Sequence, residues 1–436
     1  MAKYVGISNP DSVCYLNSSI QQLYMMPSFR ESILALPAEM IRMDSHLTES
    51  YPVFVKELLS LFEALERGRR KHFPQDVEGV VNPLNFCATV RSNANYHDGE
   101  NSESMEMLDP SEQMDVSEFL SLFFCQLSSS LGASHPLLRG GQSICGDICN
   151  ELSVANDEAV DKKIGETVVG TEQYYFLSVK VGTLKLGASP VTPSDTSSTQ
   201  PITERFIGNL KEALDDFTSE QCVDAMWPCA AVNGNTRQLL PSRSCSTLSA
   251  STLPPHLIIH LKRFRFDFAK MCQKKVNSRF EYPLVMDIWN NTYEARVEER
   301  KNKLWERNMR EGNTDDDDID FDSDYPADPP LRARCKYALS GVIVHAGTAT
   351  DGHYFSLVKE RTSHGQSSSS SSGSGDALVE EDEGNSSPNH WFKMNDEHVS
   401  DFDLDDLERE TFGGPVTGPI SIKKQSAFIL IYDKIS

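Results

Sequence analysis

The chain has 436 residues, of which 39% are hydrophobic, and a formal net charge of −23. That length allows two or three ordinary domains or one large multi-lobed one, and 21 Phe with 13 Tyr supply bulky groups for a core. No run of about eighteen apolar residues exists, so no membrane partner is expected, and the negative balance makes nucleic acid a poor partner because phosphate would be repelled.

The opening residues, Met1-Ala2-Lys3-Tyr4-Val5-Gly6, lack the apolar core of an export signal. Ten cysteines without such a signal argue for reduced thiols, and hence an intracellular chain in the cytoplasm or nucleus. Residues 16–36 place Leu16, Ile20, Leu23, Phe29 and Ile33 mostly at three- and four-residue spacing, an amphipathic helical pattern broken at Pro27. Residues 53–66 repeat the pattern, and residues 111–128 do so again with a cap expected at Ser111. The first third therefore reads as mainly helical.

The character then changes. Residues 174–181, 256–264, 337–345, 353–358 and 427–432 are strands by composition. Asp351-Gly352 signals a turn, so 337–345 and 353–359 are expected to form a hairpin with a seven-residue loop. Three segments read as disordered inserts: 187–201, 295–328 and 361–390. The second holds a charged helical stretch and an aspartate cluster (Asp315 to Asp318, Asp320, Asp322, Asp324). The third holds six serines, Ser367 to Ser372, and Glu380-Glu381-Asp382-Glu383. Both acidic runs read as solvated loop.

Against that background Cys14 is the residue of chemical interest. It precedes a helical stretch, and a thiol at a helix N-terminus feels the positive end of the backbone dipole, which favours thiolate. Asn9, five residues upstream, offers an amide to an oxyanion beside the sulfur, or else a simple turn before Pro10. His345 and His353 flank the hairpin loop, with Gly347 and Gly352 letting it pass close to something bulky. Asn395 and Asp396 follow Trp391-Phe392, and either side-chain oxygen can hold an imidazole in one tautomer. A thiol, a distant imidazole and an orienting amide or carboxylate are the minimum of a cysteine protease.

Together these pieces resemble the ubiquitin-specific protease family of papain-like cysteine deubiquitinases. Gly6 to Leu23, including Asn9, Cys14-Tyr15 and Asn17-Ser18, is similar to the family's cysteine box. Gln113-Met114-Asp115-Val116-Ser117-Glu118-Phe119-Leu120, Leu253 to Phe264, Tyr337 to His345 with Gly352-His353-Tyr354, and Trp391 to Val399 resemble the four later motifs in order, and the terminal strand 426–432 fits as well. The resemblance implies an α+β papain-like fold forming a single catalytic domain over 1–436, with a helical thumb over 1–135 and intertwined β fingers and palm over 136–436. It implies Cys14 as nucleophile, His353 as base, Asn395 as orienting residue, and Asn9 with Asp396 at the oxyanion. Asp115, His345 and Tyr354 match positions lining the channel for the ubiquitin tail, whose arginines suit a carboxylate. The implied activity is hydrolysis after the C-terminal glycine of ubiquitin in ubiquitinated proteins, with no cofactor. The implied state is a monomer or a part of a larger chain, and the cysteine box only a few residues from the start fits the latter or a truncated start.

The chain departs from the family pattern at Asp11 and Val13, where relatives carry Gly and Thr. A carboxylate turned inward at Asp11 would raise the thiol pKa, and a Gly at that position suits a left-handed backbone. A crippled ubiquitin-binding scaffold is therefore one alternative, and a protease for a ubiquitin-like modifier is another. Many relatives hold zinc with two Cys-x-x-Cys pairs. Here Cys149 and Cys229 retain one sulfur each, and Cys145 and Cys222 stand at poor spacing, so no structural zinc is expected.

Overall fold

A computed structural model describes residues 4–36, 50–70, 80–90, 108–109, 111–132, 135–139, 144–154, 168–186, 203–230, 237–311, 329–361, 390–415 and 424–435. The two acidic runs, the serine tract and the 187–201 segment lie outside these residues. Among the described residues no helix is long and apolar enough to cross a membrane. The chain divides into two compact units.

The first unit comprises Met1–Ala133, Ser340–Gly347 and Asp351–Thr411. The helical part, whose end the sequence places at 135, thus shares a unit with the histidine hairpin and the strands that follow it. Its centre is the helix Cys14–Met25, in which every residue is buried. A helix buried all round cannot be a surface helix, and this one is enclosed on every side. Pro27 ends it as expected: Met26 adopts an extended backbone, and a second helix, Pro27–Leu34, restarts with the proline in its first turn. Helices Ser50–Arg70 and Val116–Leu131 add Phe54, Phe62, Phe119 and Phe123, whose rings meet edge-on or tilted with one another or with Phe29 and Phe86. The cap of Val116–Leu131 is Asp115, not Ser111, which sits in a preceding turn on Asp109. Hydrophobic period alone does not separate the helix from the turn leading into it.

Against the buried helix lies an antiparallel run of strands: Lys336–Gly347 (from Ser340 onward in this unit), Gly352–Lys359, Trp391–Asn395 and His398–Phe402. The hairpin pairs as far as Gly347↔Gly352, so its loop is only residues 348–351, shorter than the sequence pattern indicates. Gln22 donates to the carbonyls of Val342 (3.3 Å) and Leu357 (3.0 Å), and Ser356 donates to Ser18 O at 2.8 Å. A Cβ on Gly341 would stand 2.1 Å from Gln22 Oε1, so helix and sheet approach this closely only over a glycine.

The second unit comprises Ser134–Leu339, Thr348–Thr350 and Phe412–Ser436. Its four-stranded antiparallel sheet runs in the order Val168–Tyr174, Gly146–Val154, Arg237–Leu248, Gln221–Ala230. A second group pairs Leu177–Lys180 parallel to His256–Lys262, which pairs antiparallel to Gln425–Lys434. The strand expected over 174–181 is thus two strands, broken at Tyr175-Phe176. Arg263 is wholly buried and donates to the carbonyls of Ala427, Val276 and Ser278, tying three segments together. The charged stretch at the start of the expected insert 295–328 is the helix Tyr293–Glu311, anchored where Arg300 grips the buried Glu151 of the sheet through both guanidinium nitrogens (2.8 and 2.6 Å).

Candidate active site

All the residues singled out for chemistry fall within the first unit. Cys14 is the first residue of its helix and is buried, with Val13 before it in a non-helical conformation. The Val13 amide donates to Asn9 Oδ1 at 3.0 Å, so the side chain five residues before the cysteine closes the loop that presents it. Val13 itself is fully buried and fills an apolar position. Asp11 is exposed. Among the described residues the only non-glycine residues with positive φ are Met271 and Asp396, so Asp11 needs no left-handed backbone. The backbone strain weighed for Asp11 from sequence is therefore absent, and its side chain is exposed rather than buried beside the sulfur.

His353 lies near the start of the strand Gly352–Lys359, partly exposed. Its Nε2 stands 2.6 Å from Asn395 Oδ1, at the end of the strand Trp391–Asn395. That contact assigns the Nε2 proton to the amide oxygen and leaves Nδ1 for the thiol. The imidazole is raised to about 9, first by its hydrogen bond with Cys14, against the opposing effect of burial, and further by Asn395 and the charges of Cys14 and Asp396. A thiol, an imidazole of raised basicity and a neutral orienting amide are thus brought together from three separate segments.

Asp396 follows Asn395 in the tight turn to His398–Phe402 and takes φ 51°, a conformation Asp tolerates better than most residues. Its carboxylate accepts from Asn9 Nδ2 at 2.9 Å and from Asn17 Nδ2 at 2.8 Å, and Oδ2 stands 3.8 Å from His353 Nε2. Gly6 makes the approach possible. A Cβ there would stand 2.2 Å from Glu397 O and 2.7 Å from Asp396 O.

Asp115 caps Val116–Leu131, accepting from the Ser117 amide and hydroxyl at 2.7 Å each. Burial raises its carboxyl above the ordinary range, and the Ser117 bonds act the other way. His345 and Tyr354 are cross-strand partners with ring centroids 4.6 Å apart, both buried, and Gly352 is wedged against His345 Nε2. Burial pushes the Tyr354 phenol well above its usual range, with the Asp115 charge adding to it. Asp115, His345 and Tyr354 are therefore one neighbourhood beside His353.

Two residues quoted in the motifs but given no role from sequence also bear on the site. Gln113 donates to Gly352 O at 2.7 Å and accepts from Gly352 N at 3.3 Å, clamping the residue before the histidine. Asn17 joins the cysteine helix to Asp396. Their only advance signal was membership of the same motifs as Asp115 and Cys14.

Of the four cysteines weighed for zinc, only Cys145 and Cys149 have described side chains. Cys149 is flanked across its sheet by Thr171 and Thr247, neither a sulfur ligand, and burial pushes the thiols of Cys145 and Cys149 up to about 11. Zinc binds thiolate. Among the described residues no group of three or more His, Cys, Asp or Glu is arranged around a common point.

Comparison with known proteins yields a consistent set. A family model described as ubiquitin carboxyl-terminal hydrolase matches residues 5–432. The chain is 25% identical to ubiquitin carboxyl-terminal hydrolase puf of Drosophila melanogaster over 99% of its own length. It is 24% identical to human ubiquitin carboxyl-terminal hydrolase 34 over 95%, and to human ubiquitin carboxyl-terminal hydrolase 9Y over 99%. It spans only 9%, 9% and 16% of those three proteins, respectively. Among solved structures, the SAGA Ubp8/Sgf11/Sus1/Sgf73 DUB module bound to ubiquitin aldehyde matches with a TM-score of 0.58 at 14% identity, covering 100% of this chain and 70% of that one. That likeness shows the α+β fold of a papain-like deubiquitinase.

Proposed function

Because this chain belongs to the ubiquitin carboxyl-terminal hydrolase family, we propose that it is a thiol hydrolase cleaving the peptide or isopeptide bond after the C-terminal glycine of ubiquitin in ubiquitin–protein conjugates. The observation that carries the reading is the His353 imidazole, oriented by Asn395 at 2.6 Å with the Cys14 thiol beside it. His353 Nδ1 accepts the thiol proton as sulfur attacks the carbonyl carbon of the terminal glycine. The oxyanion is held by backbone amides at the start of the cysteine helix and by Asn9, whose Nδ2 carries a second proton beyond the one given to Asp396. The tetrahedral adduct collapses, the C–N bond breaks, and the imidazolium returns its proton to the departing amine. Water, deprotonated by His353, then hydrolyses the thioester and restores the thiol. No cofactor enters these steps.

Asp115, His345 and Tyr354 are the proposed walls for the ubiquitin tail, with Asp115 as the carboxylate for its arginines. The partners are ubiquitin and ubiquitinated proteins, the charge of −23 disfavours nucleic acid, and no membrane partner is proposed. We place the chain inside the cell, in cytoplasm or nucleus, where a reactive thiol persists. The eight cysteines with described side chains are all thiols, which supports that placement.

A ubiquitin probe with a C-terminal electrophile tests the reading. It is expected to label the wild type and to spare Cys14→Ala. Binding of ubiquitin without any labelling would establish the scaffold alternative, and labelling only by a ubiquitin-like probe would establish the other.

A further inference from the structure

Asn17 sits one turn after Cys14 on the buried helix and is itself 1% exposed. Its amide nitrogen faces acceptors only: Asp396 Oδ1 at 2.8 Å, Ser8 O at 3.1 Å and Ile7 O at 3.4 Å. Its Oδ1 has no donor among the described residues. Asparagine is a poor helix former and an unsatisfied buried carbonyl is costly, so neither local propensity nor packing accounts for an amide here. The surroundings ask for an uncharged group with two protons at that reach. Aspartate would add a fourth acceptor, and serine falls short of the carboxylate.

Asp396 is where that demand leads. Its oxygens are divided between the two amides: Oδ1 takes Asn17, while Oδ2 takes Asn9 and stands nearest His353. Asn395, which orients the imidazole, carries no charge, so Asp396 is the carboxylate that steadies the imidazolium formed when the thiol gives up its proton. A carboxylate on a two-residue turn can rotate about its side-chain bonds, and the loop residue Asn9 is shared with the Val13 amide. Among the described residues Asn17 is the contact that ties it to a rigid helix, the same helix that carries the nucleophile.

We propose that Asn17 is a positioning residue for the reaction: its amide locks the Asp396 carboxylate so that Oδ2 stays directed at His353 and Asn9. This rests on the hydrolase reading above. With Asn17 shortened, Asp396 turns toward solvent, and both the imidazolium and the Asn9 amide lose their fixed partner.

The test is a double-mutant cycle of Asn17→Ser and Asp396→Ala, with melting temperatures as the check on folding. Two readouts are taken: hydrolysis of a fluorogenic C-terminal ubiquitin amide, and NMR titration of the His353 imidazole, assigned by its loss in His353→Gln. Each single variant is expected to lower kcat by about ten- to hundredfold with KM little changed. The double variant is expected to be no worse than the poorer single one, because one residue acts through the other. The His353 titration midpoint is expected to fall in both singles alike. Multiplicative losses in the double variant, or a His353 titration unmoved by Asn17→Ser, would overturn the proposal. Should Asn17→Ser lose its fold, the uncharged Asn17→Thr, closer to asparagine in volume, is used, and an unchanged titration there overturns it equally. The titration needs no ubiquitin, so it judges Asn17 even if the wild type fails to hydrolyse the reporter, a failure that would count against the proposed function alone.

Discussion

Substituting Gly6 by alanine is expected to damage the site from a distance in sequence of nearly four hundred residues. Gly6 lies in the short strand Gly6–Ile7, which pairs in parallel with Val80–Val81, and its neighbour Ile7 donates to Asp396 O at 2.9 Å. An added Cβ would stand 2.2 Å from Glu397 O, 2.4 Å from Glu397 C and 2.7 Å from Asp396 O, all backbone atoms. No rotamer change relieves such a contact, so the strand and the 396–397 turn must separate. Overpacking of this kind costs about 1–3 kcal/mol, and a weakened Ile7–Asp396 hydrogen bond adds about 1 kcal/mol. The expected loss is thus about 2–4 kcal/mol, enough to lower a melting temperature by several degrees. Because the turn carries Asn395 and Asp396, hydrolysis of a C-terminal ubiquitin amide should fall more than folding does, with kcat down at least about tenfold at temperatures where the variant remains folded. Differential scanning calorimetry and steady-state kinetics on the same preparation measure both. A Gly6→Ala chain that melts with the wild type and turns over at the same rate would refute the reasoning.

Three further outcomes are expected. Glu151→Gln removes the buried carboxylate between Arg300 and Arg296, whose contacts run from 2.6 to 3.0 Å. Because both arginines reach water, the cost should be about 1–2 kcal/mol, below that of a fully buried pair, read as a lowered urea midpoint. Replacing residues 363–387 by a short Gly-Ser linker should leave melting unchanged, since Lys359↔Trp391 pairing and the Glu360 N to His390 O bond (2.8 Å) hold the flanks together; a loss of more than a few degrees would contradict this. Finally, the folded-state pKa of His353 is raised from 6.5 to about 9, so its protonation stabilises the fold fully below about pH 6.5 and ceases to do so as pH rises through about 9. The effect is reduced by solvent, the side chain being 40% exposed. The melting-temperature advantage of wild type over His353→Gln should shrink across that window, and an advantage that grows would contradict the assignment.

Much of the site was readable before any coordinates. Cys14, His353 and Asn395 stand in three of five ordered motifs, and the helices over 14–34, 50–70 and 116–131 follow the spacing of their apolar residues. The misreadings share a cause. Ser111 looked like a cap because capping residues resemble one another in sequence, while the geometry that selects Asp115 is a matter of backbone angles. Residues 174–181 looked like one strand because composition does not register a bend. Which way Asp11 turns is not written in the sequence at all, and in the structure it is exposed.

By itself the sequence determined the kinds of groups and their order: a thiol at a helix start, an imidazole in a hairpin, an amide and a carboxylate at a turn. These are properties of residue type and short-range period, and both are written locally. Only the tertiary structure decided which of those groups meet. The Asn17–Asp396 bond, the Gln113 clamp on Gly352 and the carbonyl cage around Arg263 join segments that no periodicity links. Periodicity marks the buried face of an element and is silent about the atom waiting opposite. The partner is chosen when backbones close to within a glycine's reach, as at Gly6 against the Asp396–Glu397 turn and Gly341 against Gln22.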